Sequence, residues 1–403
     1  MKIMKKKYVT LFPAYKDFHF YKDPGQIPYR FQKKGYVSEI VCYDNDKDYP
    51  ETRRYLSVNV IPMNKLNKKY NLGMILYLIM NSKRIDILNL FHLTFHSLFY
   101  AFIYKLINPS GFVYLKMDNC HHSGDYPWEK IFTSEKKSAN IISQDVSKKE
   151  KRNNDLMKKY FVHKVDLWSV EDESSCEYYK KQYPFFKDRL ITSLNGHTVD
   201  LHKSIKIKSF SEKENIIISV GRLGTFQKAT EILLQSFQMI SKDCAWNLHL
   251  AGDIAPEFKG YVDNYFVKYP ELKERVVFHG SLGKDKLFEL YNRSKIFCLP
   301  SRFETFANVF SEAMYFSNAI ITTYNVSPRD FIKNRKMGIL IERNNCHALA
   351  EAMMHFIENE SLNRTYAENA RTFAEEELGW DKITDELHAT ITINSIRIGS
   401  VIK

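Results

Sequence analysis

The feature that most constrains this chain is a rhythm. Short apolar runs rich in Val, Ile, Phe and Tyr alternate with amphipathic stretches, and the cycle is run through twice. Strands are expected near Tyr8–Phe12, Val37–Tyr43, Asp86–Leu90, Phe112–Lys116, Leu167–Val170 and Leu190–Ser193. Helical patterns fall between several of them, as at Phe95–Leu106 and Ser174–Gln182. A second series begins at Asn215, with strands at Ile216–Val220, Trp246–Ala251, Arg275–His279, Ile296–Leu299, Ala319–Thr322 and Gly338–Ile341. Its helices are expected at Thr230–Ile240, Lys284–Asn292, Phe306–Phe316 and Cys346–Glu358. Strands separated by helices are joined by crossovers, so each series predicts a parallel sheet covered by helices.

At 403 residues the chain exceeds what one hydrophobic core usually serves. The Lys/Ser-rich segment HKSIKIKSFSEKE lies between the two series and marks the linker. The expected division is an N-terminal α/β domain at 1–202, a linker at 203–214 and a second Rossmann-like domain at 215–379. Ligands of open α/β sheets bind beyond the carboxyl ends of the strands, so two such domains suit a protein with two substrates.

Apolar residues make up 44% and charged residues 26%, which excludes a disordered chain. The net charge of +12 asks for something anionic: nucleic acid, a membrane surface or a phosphorylated ligand. No nucleic-acid recognition motif accompanies it, so no nucleic-acid partner is expected. The six cysteines lie far apart, without the spacing of a metal finger or a disulfide framework, which favours a reduced, cytoplasmic chain. MKIMKKKYVTLFPAY lacks the apolar stretch of a signal peptide. The apolar run from Ile87 to Ile107 carries Asn89, His92, His96 and Lys105, and reads as a buried strand running into a core helix rather than a span.

Two constellations carry chemistry. In VGRLGTFQKATE, a strand ends at Val220, a Gly-containing loop follows, and a helix opens near Thr230. Arg222 and Lys228 can flank a diphosphate there, while Gly221 and Gly224 let the backbone approach it; a plain surface loop with two solvated cations is the other reading. The GK[ST] ending of a Walker loop is missing. In PSRFETFANVFSEAMYFSNAIITT, Glu304 sits in the loop after a buried strand and Glu312 about two turns into the next helix. The amides of Phe306 and Ala307 at the helix opening can receive phosphate charge. A carboxylate such as Glu312 can accept from both hydroxyls of a ribose. Asp44-Asn45-Asp46 spells DxD, but within DNDKDYPE it reads as a solvated loop rather than a metal and diphosphate site.

Together these residues resemble the retaining GT-B glycosyltransferases of glycosyltransferase family four, most strongly from Ile216 to Trp380. The family's GR…K loop matches Gly221-Arg222 with Lys228, and its pair of glutamates with seven residues between them matches Glu304 and Glu312. The resemblance implies that Arg222 and Lys228 hold the donor diphosphate, that Glu304 contacts the donor sugar near the reacting carbon, and that Glu312 binds the ribose. RVVFHGSLGKDKLFELY resembles the segment that meets the nucleobase, which assigns Gly280, Ser281 and Leu282 to the base. SLNGHTVDLH resembles the family's segment before the linker, and GWDKITDEL its final helix, which returns 380–403 to the first domain. In YLKMDNCHHSG, Asp118, with His121 as second choice, stands where the family places a group facing the donor sugar; an ordinary polar loop is the other reading. His121-His122 has no third ligand near it to make a metal site.

Departures stand at Thr305, Ala307 and Ser317-Asn318-Ala319, where the family often has glycines and a Gly-x-Pro. No Gly-Gly loop follows the first strand, and KDPGQIP is the candidate substitute. The expectation is a metal-independent retaining hexosyltransferase using a nucleotide-sugar, a UDP-sugar before a GDP-sugar, with no cofactor. The acceptor would be a glycan or a lipid-linked glycan, in bacterial surface polysaccharide synthesis. A nucleotide-sugar epimerase on the same fold and a non-catalytic nucleotide-sugar-binding protein are the rivals. KKK at 5–7 and KLNKKYNLGMILYLIM at 65–80 suggest peripheral contact with the inner face of an anionic membrane, against a core helix with solvated lysines.

Overall fold

The computed structural model describes residues 5–117, 160–202 and 205–401. The chain divides after Leu194 and again after Gly379, and the tail from Trp380 returns to the first unit. The first division falls ahead of the 203–214 segment expected as linker.

The first unit is built on a seven-stranded sheet of order β3-β2-β1-β4-β5-β6-β7. Its strands are β1 (Lys7–Leu11), β2 (Val37–Tyr43), β3 (Ser57–Ile61), β4 (Ile87–Phe91), β5 (Phe112–Lys116), β6 (Leu167–Val170) and β7 (Leu190–Thr192). Every neighbouring pair is parallel. β4 and β5 are buried along their whole length, as strands covered on both faces must be. Leu88, Leu90, Val113, Leu115 and Trp168 anchor the core. The apolar run from Ile87 is a strand followed by helix Phe95–Ile107, as expected, and among the described residues no helix is long and apolar enough to cross a membrane.

Local chemistry sets the helix starts. Thr94, Asp172 and Asn64 each accept a backbone N–H of the first turn with the side chain. Two expectations need correcting. β3 was not anticipated, and KDPGQIP is not a loop: it opens helix Asp23–Lys33, with Pro24 in the first turn and Pro28 inside. Burial of Ile27, Arg30 and Phe31 holds that helix despite its prolines. Arg30 pairs with Asp381 at 2.9 Å and Tyr36 meets His388 at 3.1 Å, which fastens the closing helix Trp380–Val401 to the first unit. The DxD loop serves its own backbone. Asp44 accepts the N–H of Met63, Asp46 accepts that of Asp17, and the Asn45 amide donates to the carbonyls of Pro13, Tyr15 and Tyr43.

The second unit has a six-stranded sheet of order β10-β9-β8-β11-β12-β13, again all parallel. The strands are β8 (Glu214–Val220), β9 (Asn247–Ala251), β10 (Val276–Gly280), β11 (Ser294–Leu299), β12 (Ala319–Thr323) and β13 (Gly338–Ile341). All six fall where the apolar runs placed them. Three described helices had no counterpart in that reading: Lys259–Lys268, Arg329–Asn334 and Glu360–Glu377. The Lys213 ammonium is buried under the sheet and donates to the carbonyls of Tyr291, Ser294 and Phe316. Among the described residues the five cysteines are all free.

Candidate active site

The topology of the second unit dictates where a ligand fits. From central β8 the chain moves outward to β9 and β10, then returns to β11 on the other side of β8. The loops leaving β8 and β11 therefore diverge at adjacent carboxyl ends, which opens a crevice at the switch point of the strand order. Those loops are Gly221–Ala229 and Pro300–Ala307, the two constellations singled out in the sequence.

Their side chains meet. Arg222, exposed, donates to Gln227 Oε1 at 2.8 Å. Gln227 donates in turn to Glu304 Oε1 and to the carbonyl of Phe303, both at 3.3 Å. Lys228 forms a short ion pair with Glu304 Oε2, with 10% and 8% of the two side chains exposed. Arg302 staples the loops. Its N–H bonds the carbonyl of Gln227 at 2.8 Å, its guanidinium reaches Glu231 at 2.5 Å, Asn344 at 2.6 Å and the Phe226 carbonyl at 2.6 Å, and it stacks over the Phe226 ring. The Glu304 backbone is bonded both ways to the loop after β12, to Asn325 and Ser327. A cation pair and a carboxylate are thus held in one bonded network.

The strand ends below are stripped of side chains. Gly252, after β9, has φ +132, and a Cβ there would lie 1.9 Å from the carbonyl oxygen of Gly221. Its N–H bonds the carbonyl of Gly280 at 2.8 Å. Only glycine fits such a crossing of backbones.

A second cluster lies on the same edge of the sheet. Glu312 is the fifth residue of helix Asn308–Tyr315, nearer one turn than the two expected, because the helix begins after Ala307. Its side chain is 2% exposed and pairs with Lys284, the first residue of helix Lys284–Arg293. Its Oε2 is buried without a full hydrogen bond among the described residues, the neighbouring Tyr291 hydroxyl included. Burial first, then the charge of Glu312, holds that hydroxyl well above the usual tyrosine range. A buried carboxylate oxygen with capacity to spare is unfavourable alone and suits a hydroxyl donor. Gly280, Ser281 and Leu282 form the turn that leads from β10 to Lys284, Gly280 with φ +65.

Of the residues singled out, Arg222, Lys228 and Glu304 form one network, Glu312 pairs with Lys284, and Gly280, Ser281 and Leu282 lie in the turn just before Lys284 in the chain. Phe306 is fully buried and its carbonyl accepts from Asn195 at 2.8 Å. The N–H of Ala307 is already given to the Thr305 carbonyl at 2.8 Å, so the helix-opening amides without an intrahelical acceptor are those of Asn308 and Val309. That shifts the amide role away from Ala307. Asp118 and His121 lie outside the described residues. Gln227, Lys284, Arg302 and Gly252 were not picked out in the sequence. Gln227 and Arg302 stand inside the quoted motifs, one residue before Lys228 and two before Glu304, which is the signal that marks them.

The first unit has its own switch point, between β1 and β4, with a different lining. Phe12 packs against His19 and His92, with ring centroids 5.4 and 5.3 Å away. His92 takes φ 60. Burial, then the charges of Lys22 and His92, pushes His19 down to about 4, and its Nδ1 accepts the N–H of Lys16 at 2.8 Å.

Residues 202–373 match the family model described as glycosyl transferases group 1. The chain is 29% identical over 178 residues to a capsular polysaccharide biosynthesis glycosyltransferase, CapM, of Staphylococcus aureus, covering 44% of this chain and 46% of that one. It is 28% identical over 212 residues to an α-1,4-N-acetyl-D-galactosaminyltransferase of Campylobacter jejuni named for a PP-undecaprenol-borne glycan, covering 51% and 54%. The chain spans about half the length of the curated relatives it matches. Among solved structures, Anabaena HepE in complex with UDP superposes with a TM-score of 0.70 at 13% identity, over 96% of this chain and 99% of that one. The whole fold is therefore of the GT-B type, and residues 202–373 in the second unit are similar to the glycosyl transferases of group 1.

Proposed function

We propose that the chain is a retaining glycosyltransferase that binds a nucleoside-diphosphate sugar, preferably a UDP-sugar, in its second unit. The observation that carries the reading is the meeting of Arg222, Gln227, Lys228 and Glu304 at the switch point of that sheet. Lys228 and Glu304 neutralise each other. An arriving diphosphate takes the charge of Lys228 and Arg222, which frees the Glu304 carboxylate for hydroxyls of the donor sugar. Glu312 takes the ribose hydroxyls with Lys284 beside it, and the turn Gly280-Ser281-Leu282 meets the base. The amides opening helix Asn308–Tyr315 add positive potential for the phosphates.

Negative charge grows on the diphosphate as the sugar–phosphate bond breaks, and fixed cations favour that state over the ground state. The acceptor hydroxyl attacks the anomeric carbon from the face the diphosphate leaves and hands its proton to the departing phosphate oxygen, so the configuration is kept. Arg222 and Lys228 supply the positive charge, and the reaction proceeds without a metal or other cofactor. Asp118 and His121 are proposed to act from the first unit.

The HepE structure was solved with UDP, and the Campylobacter relative is named for a diphospho-undecaprenol acceptor. The first supports a UDP-sugar donor and the second a glycan or lipid-linked acceptor, and we propose surface polysaccharide synthesis at the cytoplasmic side of the membrane as the setting. Calorimetry with UDP-, GDP- and ADP-sugars tests the donor assignment. A UDP-sugar should bind tightest and Lys228→Ala should weaken it; absence of binding by all three would overturn the reading.

A further inference from the structure

We propose that helices Lys65–Tyr70 and Leu72–Asn81 of the first unit form a docking face for an anionic lipid surface. Leu66, Tyr70, Leu72, Leu76, Ile79 and Met80 are 54, 56, 38, 48, 52 and 77% exposed. In the second helix, Leu72, Leu76, Ile79 and Met80 follow the i, i+4, i+7, i+8 spacing of one stripe. Met74, Tyr77 and Leu78 already serve the core from the other side. This helix thus carries a second apolar face that stays exposed among the described residues. LGMILYLIMN has no charged residue, and a continuous exposed apolar patch on a folded domain marks an interaction surface.

Charge selects the partner. Residues 62–84 contain five lysines and arginines and no Asp or Glu, in a chain that holds 47 acidic residues. In the chain, exposed Lys65 precedes the stripe, on helix Lys65–Tyr70, and exposed Lys83 and Arg84 follow it. An apolar face bounded by cations matches the boundary between lipid tails and anionic headgroups. Ten residues are too few to cross a bilayer, which needs about twenty, so the helix lies in the surface. Lys7 is not part of this face: it is tied to Glu39 at 2.7 Å. The inference stands apart from the donor reading, and its test reads binding rather than transfer.

The full chain would be sedimented with vesicles of phosphatidylcholine alone and of phosphatidylcholine mixed with phosphatidylglycerol, at low and high salt. Binding is expected to the anionic vesicles, and to weaken with salt. The double variant Leu76→Glu, Ile79→Glu should abolish it. Lys83→Glu with Arg84→Glu should lower the partition at least about tenfold, since each reversal replaces attraction by repulsion. All four positions are solvent-facing, and an unchanged melting temperature confirms that the variants fold. No binding by the wild type, equal binding to both vesicle types, or variants that bind like the wild type would each overturn the proposal. So would a self-association that the Leu76→Glu, Ile79→Glu pair dissolves without any vesicle binding, which would assign the face to a second copy.

Discussion

The two units use the same architecture and furnish it differently. Each is a parallel sheet whose strand order reverses beside a central strand, β1 in the first unit and β8 in the second. At the second switch point stand cations and a carboxylate, paired and bonded to neighbouring loops. At the first stand the rings of Phe12, His19 and His92, with His19 held neutral down to about 4. A topology that makes a crevice says nothing about its contents; the residues at the strand ends decide that. Charge belongs where a diphosphate must be neutralised. A ring-lined crevice with a neutral His19 imidazole suits an uncharged, hydroxyl-bearing ligand.

The largest expected effect lies on the charged side. Lys228→Ala or Arg222→Ala should lower the transfer rate about a hundredfold or more, as loss of a group aimed at developing charge does. His19→Ala should leave donor affinity unchanged by calorimetry. Equal damage to donor binding from either unit would erase the contrast.

Next comes the floor of the site. Gly252→Ala places a methyl group 1.9 Å from the Gly221 oxygen at φ +132, so backbone must move. The loss of stability should reach about 3 kcal/mol or more in urea unfolding, because strain and a clash coincide. A near-neutral result would mean that the crossing of Gly221 and Gly252 is loose.

A smaller effect concerns pH. His249 on β9 meets His279 on β10 at 3.0 Å. Burial first, then the charges of His279 and Arg293, lowers His249 from 6.5 to about 4, and His279 is lowered too, chiefly by burial. Between pH 6.5 and about 4 the unfolded chain binds more protons than the fold, so stability should fall as pH falls through that window. His249→Gln should flatten the fall in the urea midpoint; an unchanged slope would assign the acid loss elsewhere, the neutral His19 of the first unit included.

The smallest effect is a gain. Ser317 sits at φ 53 just past helix Asn308–Tyr315, in the place where the family often has glycine. Ser317→Gly relieves left-handed strain and should raise stability by about 0.5–1 kcal/mol, the relief partly offset by the freer unfolded chain. A lower melting temperature would show that the serine side chain contributes something its backbone cost conceals.

These contrasts explain which parts of the molecule could be read from the sequence. The four inner strands of the second unit were legible because central parallel strands are continuous apolar runs bounded by helices, and the edge strands β10 and β13 were legible because Val276-Val277-Phe278 and Ile339-Leu340-Ile341 are unbroken apolar runs. β3 was not, since Ser57–Ile61 is an edge strand with a half-exposed, mixed pattern. Helix Asp23–Lys33 carries two prolines and a glycine, and only burial against the sheet overrides that local preference. The cations and glutamates of the site were legible because their order along the chain mirrors the β8–β11 crevice. Lys284 was not, because its partner Glu312 is 28 residues away and only the fold brings them together.

A structure of the protein with UDP would test the central claim most directly. The account predicts the diphosphate between Arg222 and Lys228, the Lys228–Glu304 pair opened, and ribose hydroxyls within hydrogen-bond reach of Glu312. A nucleotide bound elsewhere, with that pair intact, would contradict it.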